Sequence, residues 1–423
     1  MLMKLSIEEG RVVRVFGPAN IVVDKGSVMV VGAVFKSNER FVINRFRSYA
    51  IKALENSELS ITLGDGGSVE EPKEGEEVID EWVEISEYVV NNKLRKVMVL
   101  GPVDSGKTSL VTFIANYALG KGLKVGIIDA DVGQEDLAPP CFIALAIPNK
   151  YVLWLRELTF HSIRFVGSIT PSGNVAKVIQ GVKSLTDKAE GMGVDLVVID
   201  TDGWVNNSAA LEYKFDLIKI VKPDALVVVD EYLYEVFKNL EPIIKVIYAP
   251  RPKVVRVRSR EERKYLRTQA YKRFFMNSKV RKFSINELTL FGSCLLSGKP
   301  LPNEVVDKVK TILSQEVLRA SQYGEVVTIL TKGRSLNVPA LREIFRNVDI
   351  NLLAKGDEKG VLLALLNKDL EEVGVGLLEN LDLDNGLIVV RTCYEGDVGG
   401  IIFGKVKLNK EFEEVLKSYK CVI

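Results

Sequence analysis

The chain has 423 residues, with 57 Lys+Arg against 56 Asp+Glu and a formal net charge of +1, a sum that argues against both a histone-like basic protein and an acidic tail protein. At about 150 residues per domain this length predicts two or three domains, and 47% hydrophobic with 27% charged residues is a globular composition that argues against extensive disorder. A single histidine, His161, and four scattered cysteines, Cys141, Cys294, Cys393 and Cys421, argue against a Cys/His zinc site and are expected to be reduced, mostly buried thiols.

The segment Arg11 to Leu63 is a succession of short β-branched runs (VVRVFG, NIVVDKG, VMVVGAVF, RFVINRF, LSITLG) punctuated by Gly and Asn, which predicts a small all-β domain. Gly64 to Glu77 is rich in glycine and acid and reads as a linker. Trp82, Ile85, Tyr88 and Val89 then recur at helical spacing within Asp80 to Asn91. Beyond it, continuous apolar runs at 96–101, 124–130, 195–200 and 224–230 alternate with longer helical segments, the pattern of parallel strands buried on both faces. A basic block from Pro252 to Lys282 follows, and 285–423 returns to β texture. The expected architecture is α/β: a central domain with a mainly parallel sheet, which the G-x-x-x-x-G-K-[ST] loop at 101–108 marks as a P-loop NTPase domain, flanked by smaller β-rich N-terminal and C-terminal domains. The boundaries fall at 1–78, 79–284 (with the basic lid at about 251–282) and 285–423. No apolar run approaches the roughly 20 residues needed to span a bilayer, and the acidic start leaves no signal-peptide core, so a cytoplasmic protein is expected.

Gly101-Pro102-Val103-Asp104-Ser105-Gly106-Lys107-Thr108 fits G-x-x-x-x-G-K-[ST] and lies between an apolar run and a helical segment, as the motif's mechanics require. Its glycines let backbone N–H groups curl around phosphates, Lys107 is expected to bridge the β- and γ-phosphates of ATP, and the Thr108 hydroxyl to hold Mg²⁺, with Ser109 next to it. A second strand ends in Asp129-Ala-Asp131-Val-Gly-Gln134 and a third in Asp200-Thr-Asp202-Gly203-Trp204. Carboxylates at the carboxyl ends of parallel strands lie where open α/β sheets bind ligands. Either acid of the first pair could position Mg²⁺ or accept a hydroxyl proton, and the roles of Asp129, Asp200 and Asp202 stay open.

The loop GPVDSGK, then DADVGQ, then Gly167-Ser-Ile-Thr170-Pro171-Ser-Gly173-Asn174, then DTDGW resemble, in order and spacing, the polynucleotide 5′-hydroxyl kinases that include the kinase subunit of the mRNA 3′-end cleavage machinery and the rRNA-processing kinases. The likeness covers nearly the whole chain and suggests an archaeal-type member. It implies that Asp131 prepares the substrate hydroxyl and Gln134 helps order the metal shell. It further implies that Thr170, Pro171 and Asn174 clasp the end of the nucleic acid, and that Trp204 stacks the terminal base. Independently, an aromatic just beyond a strand end suits base stacking.

In the basic block, Arg260, Arg263, Lys264 and Arg267 recur at three- and four-residue steps, which predicts a cationic stripe on one helix face. The family's lid pattern falls on Arg258, Ser259, Arg263 and Arg267; Arg258 and Arg263 are expected at the γ-phosphate, with Arg267 joining them or holding RNA phosphates. Asp202 departs from the pattern, where a small or hydroxylic residue is usual. The implied activity is ATP- and Mg²⁺-dependent transfer of the γ-phosphoryl group to 5′-hydroxyl ends of RNA, with DNA as an alternative acceptor and RNA-processing proteins as partners. A catalytically silent ATP-binding scaffold is the rival. No NKxD motif or His/Cys tract supports a GTPase or metallochaperone. The neutral sum conceals an acidic stretch from Glu70 to Glu87 and a basic one from Arg251 to Lys282, which favours recognition of an end over binding of long tracts.

Overall fold

The computed structural model describes residues 2–45, 47–73, 75–253, 259–334, 337–417 and 421–423. The chain forms two compact units: Met1–Asp131 with Ile143–His161 and Val178–Arg258, and Val132–Phe142 with Ser162–Lys177 and Ser259–Ile423. Among the described residues no helix is long and apolar enough to cross a membrane.

The first unit opens with two antiparallel sheets. One runs in the order Leu2–Ile7, Ser57–Leu63, Ala19–Lys25, Arg40–Ile43; the other Ala33–Lys36, Ser27–Val30, Ser48–Ala53, Val12–Phe16, Ser68–Glu70. Alternation along the strands directs one side of each inward, so that Val15, Ile21, Val23, Val28, Ile51 and Ile61 close a common core. This β module is tied to the helix that follows the phosphate loop. Val31 (φ 47°) and Gly32 (φ 75°) turn a hairpin against that helix, where a Cβ on Gly32 would lie 2.3 Å from the Phe113 carbonyl oxygen. The buried Asn116 amide donates to the carbonyls of Val31 (2.8 Å) and Val152 (2.7 Å) and accepts from the Val152 N–H at 3.1 Å. Both of its donors and its oxygen are thereby bonded inside the fold, as burial of an amide requires.

The helix Ile79–Asn91 buries Trp82, Ile85 and Val89 on one face, and Trp82 meets Phe113 edge to face at 5.6 Å. It leads into a sheet whose strands we label β1 (Lys96–Leu100), β2 (Val125–Ala130), β3 (Phe142–Ala146), β4 (Leu196–Thr201), β5 (Ala225–Val228) and β6 (Lys245–Tyr248). Their order is β3-β2-β4-β1-β5-β6, parallel throughout except that β3 runs antiparallel to β2. The expected mainly parallel sheet is therefore present. The central strands are buried on both faces, which explains their unbroken apolar runs. The helix α1 (Lys107–Gly120) follows β1, and the carboxyl ends of β1, β2 and β4 carry the phosphate loop and both acidic motifs.

The second unit contains the helix Arg260–Phe275, from the basic block, and two further sheets. One orders Lys279–Ser284, Leu387–Thr392, Glu372–Asp382, Val361–Leu366, Gly400–Leu408 and Thr289–Phe291; the other Lys299–Pro300, Val317–Tyr323, Val326–Thr331 and Asp349–Ala354. A helix, Asn303–Leu313, packs Val309 and Leu313 into the core of the second. The expectation that all four cysteines are reduced is corrected here. Cys294 and Cys421, 5.8 Å apart at Cα, form a disulfide, while Cys141 (buried) and Cys393 (exposed) are free thiols. A separation of 127 residues leaves no pattern from which sequence could read this pairing.

Candidate active site

The phosphate loop joins β1 to α1 through two left-handed residues, Asp104 (φ 57°) and Gly106 (φ 94°), with Gly106 capping the helix N-terminus. This geometry turns successive N–H groups and the positive helix end toward one point, the physical requirement for a polyphosphate. Lys107 is only 6% exposed, and its Nζ donates to the Pro102 carbonyl oxygen at 2.7 Å across the loop. The buried Ser105 hydroxyl has no hydrogen-bond partner among the described residues. An orphan hydroxyl and a lysine folded back on its own loop are groups that nucleotide phosphates would satisfy.

The Thr108 hydroxyl donates to Asp200 Oδ2 at 2.6 Å, joining the start of α1 to the end of β4. A hydroxyl and a carboxylate in contact beside a phosphate loop form the oxygen donor set that suits Mg²⁺. Asp129 is buried and accepts the Asp131 N–H at 3.1 Å, which turns the chain so that Asp131 is half-buried just past β2.

Asp202 belongs to a different network. Its Oδ2 accepts from Lys214 Nζ and from the Tyr213 hydroxyl, both at 2.8 Å, and its Oδ1 accepts the Trp204 N–H at 3.0 Å. Both Lys214 and Tyr213 lie on the helix Ser208–Val221. Burial pulls the Lys214 ammonium below the usual lysine range, opposed by the charge of Asp202. Burial, then Asp202, pushes the Tyr213 hydroxyl well above its ordinary value. The half-buried Trp204 ring stacks on Tyr213 at 6.0 Å and 26°. Between Asp202 and Trp204, Gly203 touches the phosphate loop so closely that a Cβ would lie 2.6 Å from the Val103 nitrogen. Sequence reading missed Tyr213 and Lys214.

The first unit thus brings together Gly101 through Ser109, Asp131 and Trp204, with Asp200 and Asp202. Gln134, Thr170, Pro171, Asn174, Arg263 and Arg267 lie in the second unit. There the 170–174 turn is closed by the Asn174 side chain, which donates to the carbonyls of Thr170 (3.3 Å) and Ser172 (3.2 Å) and accepts from Lys405 Nζ at 3.4 Å. The helix Arg260–Phe275 begins with a capping box in which Ser259 and Glu262 satisfy each other's backbone N–H groups. Its cations recur along one helix face but differ in burial. Arg260 and Lys264 are exposed, whereas Arg263 and Arg267 are half-buried one turn apart, and Arg267 is gripped bidentately by Glu414 at 2.8 and 3.0 Å. The Tyr271 hydroxyl also approaches Glu414, at 3.3 Å. Arg258 lies outside the described residues.

Residues 101–277 match the family model described as the mRNA cleavage and polyadenylation factor CLP1 P-loop. The chain is 31% identical over 334 residues to a polyribonucleotide 5′-hydroxyl-kinase of Methanocaldococcus jannaschii, covering 77% of this chain and 90% of that protein. A protein of the same name from Thermococcus kodakarensis is 31% identical over 349 residues, covering 80% of this chain and 96% of its own length. Among solved structures, the wild-type Clp1p–Pcf11p complex matches with a TM-score of 0.64 at 13% identity, covering 96% of this chain and 98% of that one, a likeness of fold.

Proposed function

The chain belongs to the family of CLP1 proteins and archaeal polyribonucleotide 5′-hydroxyl-kinases, and from that premise we infer that it is a kinase that phosphorylates the 5′-hydroxyl end of RNA with ATP as donor. The observation that carries the reading is the joining of two motifs, the phosphate loop and the Asp200–Trp204 strand end, at one end of the sheet. Thr108 of the phosphate loop bonds Asp200, and Gly203 packs the Trp204 turn on Val103 of the same loop. A nucleotide site and an aromatic platform are thereby built as one piece, which is what transfer between ATP and a polynucleotide end requires.

In this reading the loop N–H groups, Ser105 and Lys107 hold the polyphosphate. Thr108 and Asp200 hold Mg²⁺, with Gln134 contributing to its surroundings. Bound Mg²⁺ neutralises charge on the phosphoryl oxygens. Asp131, the half-buried acid just past β2 in the Asp131–Gln134 motif, is assigned to the attacking hydroxyl, which it orients or deprotonates. Trp204 stacks the terminal base, and Thr170, Pro171 and Asn174 hold the end of the strand. Arg258 and Arg263 stabilise the charge that develops on the transferred group. Arg267, held by Glu414, anchors the helix that carries Arg263. Proteins of RNA processing are the partners this role implies.

The test is transfer of labelled phosphate from ATP to a 5′-hydroxyl oligoribonucleotide. Lys107→Ala is expected to abolish transfer in a folded protein. Absence of transfer by the intact, ATP-bound wild type would overturn the kinase reading in favour of a silent scaffold.

A further inference from the structure

Lys214 is 0% exposed and Asp202 3% exposed. An ion pair this deeply buried contributes little net stability compared with apolar residues of the same shape, so its presence beside the site calls for another account. Its geometry provides one. Lys214 Nζ holds Asp202 at two points, the carboxylate at 2.8 Å and the carbonyl oxygen at 2.9 Å, and therefore fixes both the backbone and the side chain of that residue. The carboxylate in turn holds the Trp204 N–H and the Tyr213 hydroxyl, and the Lys214 ammonium lies 4.6 Å from the centre of the Tyr213 ring on which Trp204 stacks. The Asp202 carboxylate and backbone and the Tyr213 ring, which bear on the Trp204 turn and indole, are thus tied to this one ammonium. The intervening Gly203 carries the same turn against Val103 of the phosphate loop.

We propose that Lys214 is a positioning residue for the acceptor: it locks the 202–204 turn so that Trp204 stands as a rigid platform for the terminal base of a 5′-hydroxyl polynucleotide, set against the phosphate loop. The proposal rests on the kinase reading and on Trp204 as the stacking residue. It also explains how this chain accommodates an acid at 202, where the resemblance leads one to expect a small or hydroxylic residue. A buried aspartate needs a buried cation, and the pair converts a plain turn into a braced one.

The experiment uses the full chain with ATP and a 5′-hydroxyl oligoribonucleotide. Lys214→Met is compared with the neutral pair Asp202→Asn/Lys214→Met, which leaves no unpaired buried charge and so keeps a folded protein available. In the neutral pair, thermal unfolding remains cooperative and ATP affinity stays within about twofold, while KM for the oligonucleotide rises about tenfold and kcat at saturation changes less than about threefold. Placed in a Trp204→Ala background, the same pair changes that KM by less than about twofold, because both act through one contact. An unchanged KM in the folded neutral pair overturns the proposal. So does a tenfold effect that persists without the Trp204 ring, which would make the pair a stability element only. A wild type that transfers phosphate but whose Trp204→Ala variant keeps its KM removes the platform and the proposal with it; a wild type that transfers nothing refutes the kinase reading itself.

Discussion

Gly203→Ala tests whether the acceptor turn and the nucleotide loop are one mechanical unit. The added Cβ would lie 2.6 Å from the backbone nitrogen of Val103, 2.6 Å from its Cγ2 and 2.8 Å from its Cα, whereas ordinary contact begins near 3.4 Å. Relief needs about 0.8 Å of relative movement, comparable to the ~1 Å misplacements that cost about 100-fold in rate. The turn is poorly able to supply that movement, since it leaves a fully buried strand and is braced by Lys214 on the preceding residue, Asp202. Val103 is 46% exposed, so the loop gives way, carrying its phosphate-binding N–H groups with it. Overpacking of this kind costs about 1–3 kcal/mol; borne by the loop, it weakens ATP binding roughly 5- to 150-fold. Calorimetric titration with a non-hydrolysable ATP analogue, alongside Tm, measures both sides. Wild-type affinity with a lowered Tm would show that the turn absorbs the clash, and the coupling argument would be wrong.

Asp200→Asn keeps an acceptor for Thr108 but removes the charge, and is expected to raise the Mg²⁺ concentration needed for half-maximal transfer by about tenfold or more; an unchanged Mg²⁺ titration excludes Asp200 from the metal site. Glu414→Ala strips the bidentate acceptor from a largely buried Arg267 and should lower stability by about 3–5 kcal/mol in urea unfolding, with a loss below about 1 kcal/mol counting against an anchoring role. Replacing Cys294 and Cys421 by Ser, or adding reductant, reopens a long loop and is expected to remove about 2–5 kcal/mol, read from the same unfolding curves. Burial and the neighbouring Glu87 carboxylate, 3.0 Å away, push the Tyr117 hydroxyl from 10.0 up to about 12. Because its folded value is the higher one, the stabilisation is complete below pH 10 and is lost as pH rises toward 12. Absorbance titration of Tyr117→Phe should therefore lack one late-ionising tyrosine, and an unchanged late phase would contradict this.

What sequence could read was what is local. The phosphate loop, the strands around it and the helix at 79–91 are contiguous patterns whose chemistry travels with their spacing. What it could not read depended on partners far along the chain. Thr108 and Asp200 are 92 positions apart, and Arg267 and Glu414 are 147 apart, so neither the use of Asp200 nor the capture of Arg267 has a local signature. The lid periodicity identified neighbouring cations correctly but carried no information about which of them face protein. Lys214 is the instructive case. On its helix the buried positions are Ala210, Tyr213, Lys214, Leu217, Ile218 and Val221, the spacing of an apolar stripe. A lysine standing in that stripe, 12 residues after an unassigned strand-end aspartate, was a legible signal of a buried ion pair.

Long-range partners also change the meaning of the chain's charge. The basic block looked like a supply of cations for nucleic acid, yet Arg267 is spent on Glu414, and Arg273 approaches the carbonyls of Asp136 and Leu137 at 3.4 and 3.3 Å. Cations committed to protein acceptors release no counterions when a polynucleotide arrives, so they add nothing to non-specific affinity. They fix the frame that carries the remaining ones. At the other end of the reaction Lys214 is used in the same way, its charge consumed by Asp202 to hold an aromatic ring. Positive charge in this protein thus serves geometry as much as attraction. That suits an enzyme that must find the one 5′-hydroxyl of a chain whose every internal 5′ oxygen is esterified to phosphate.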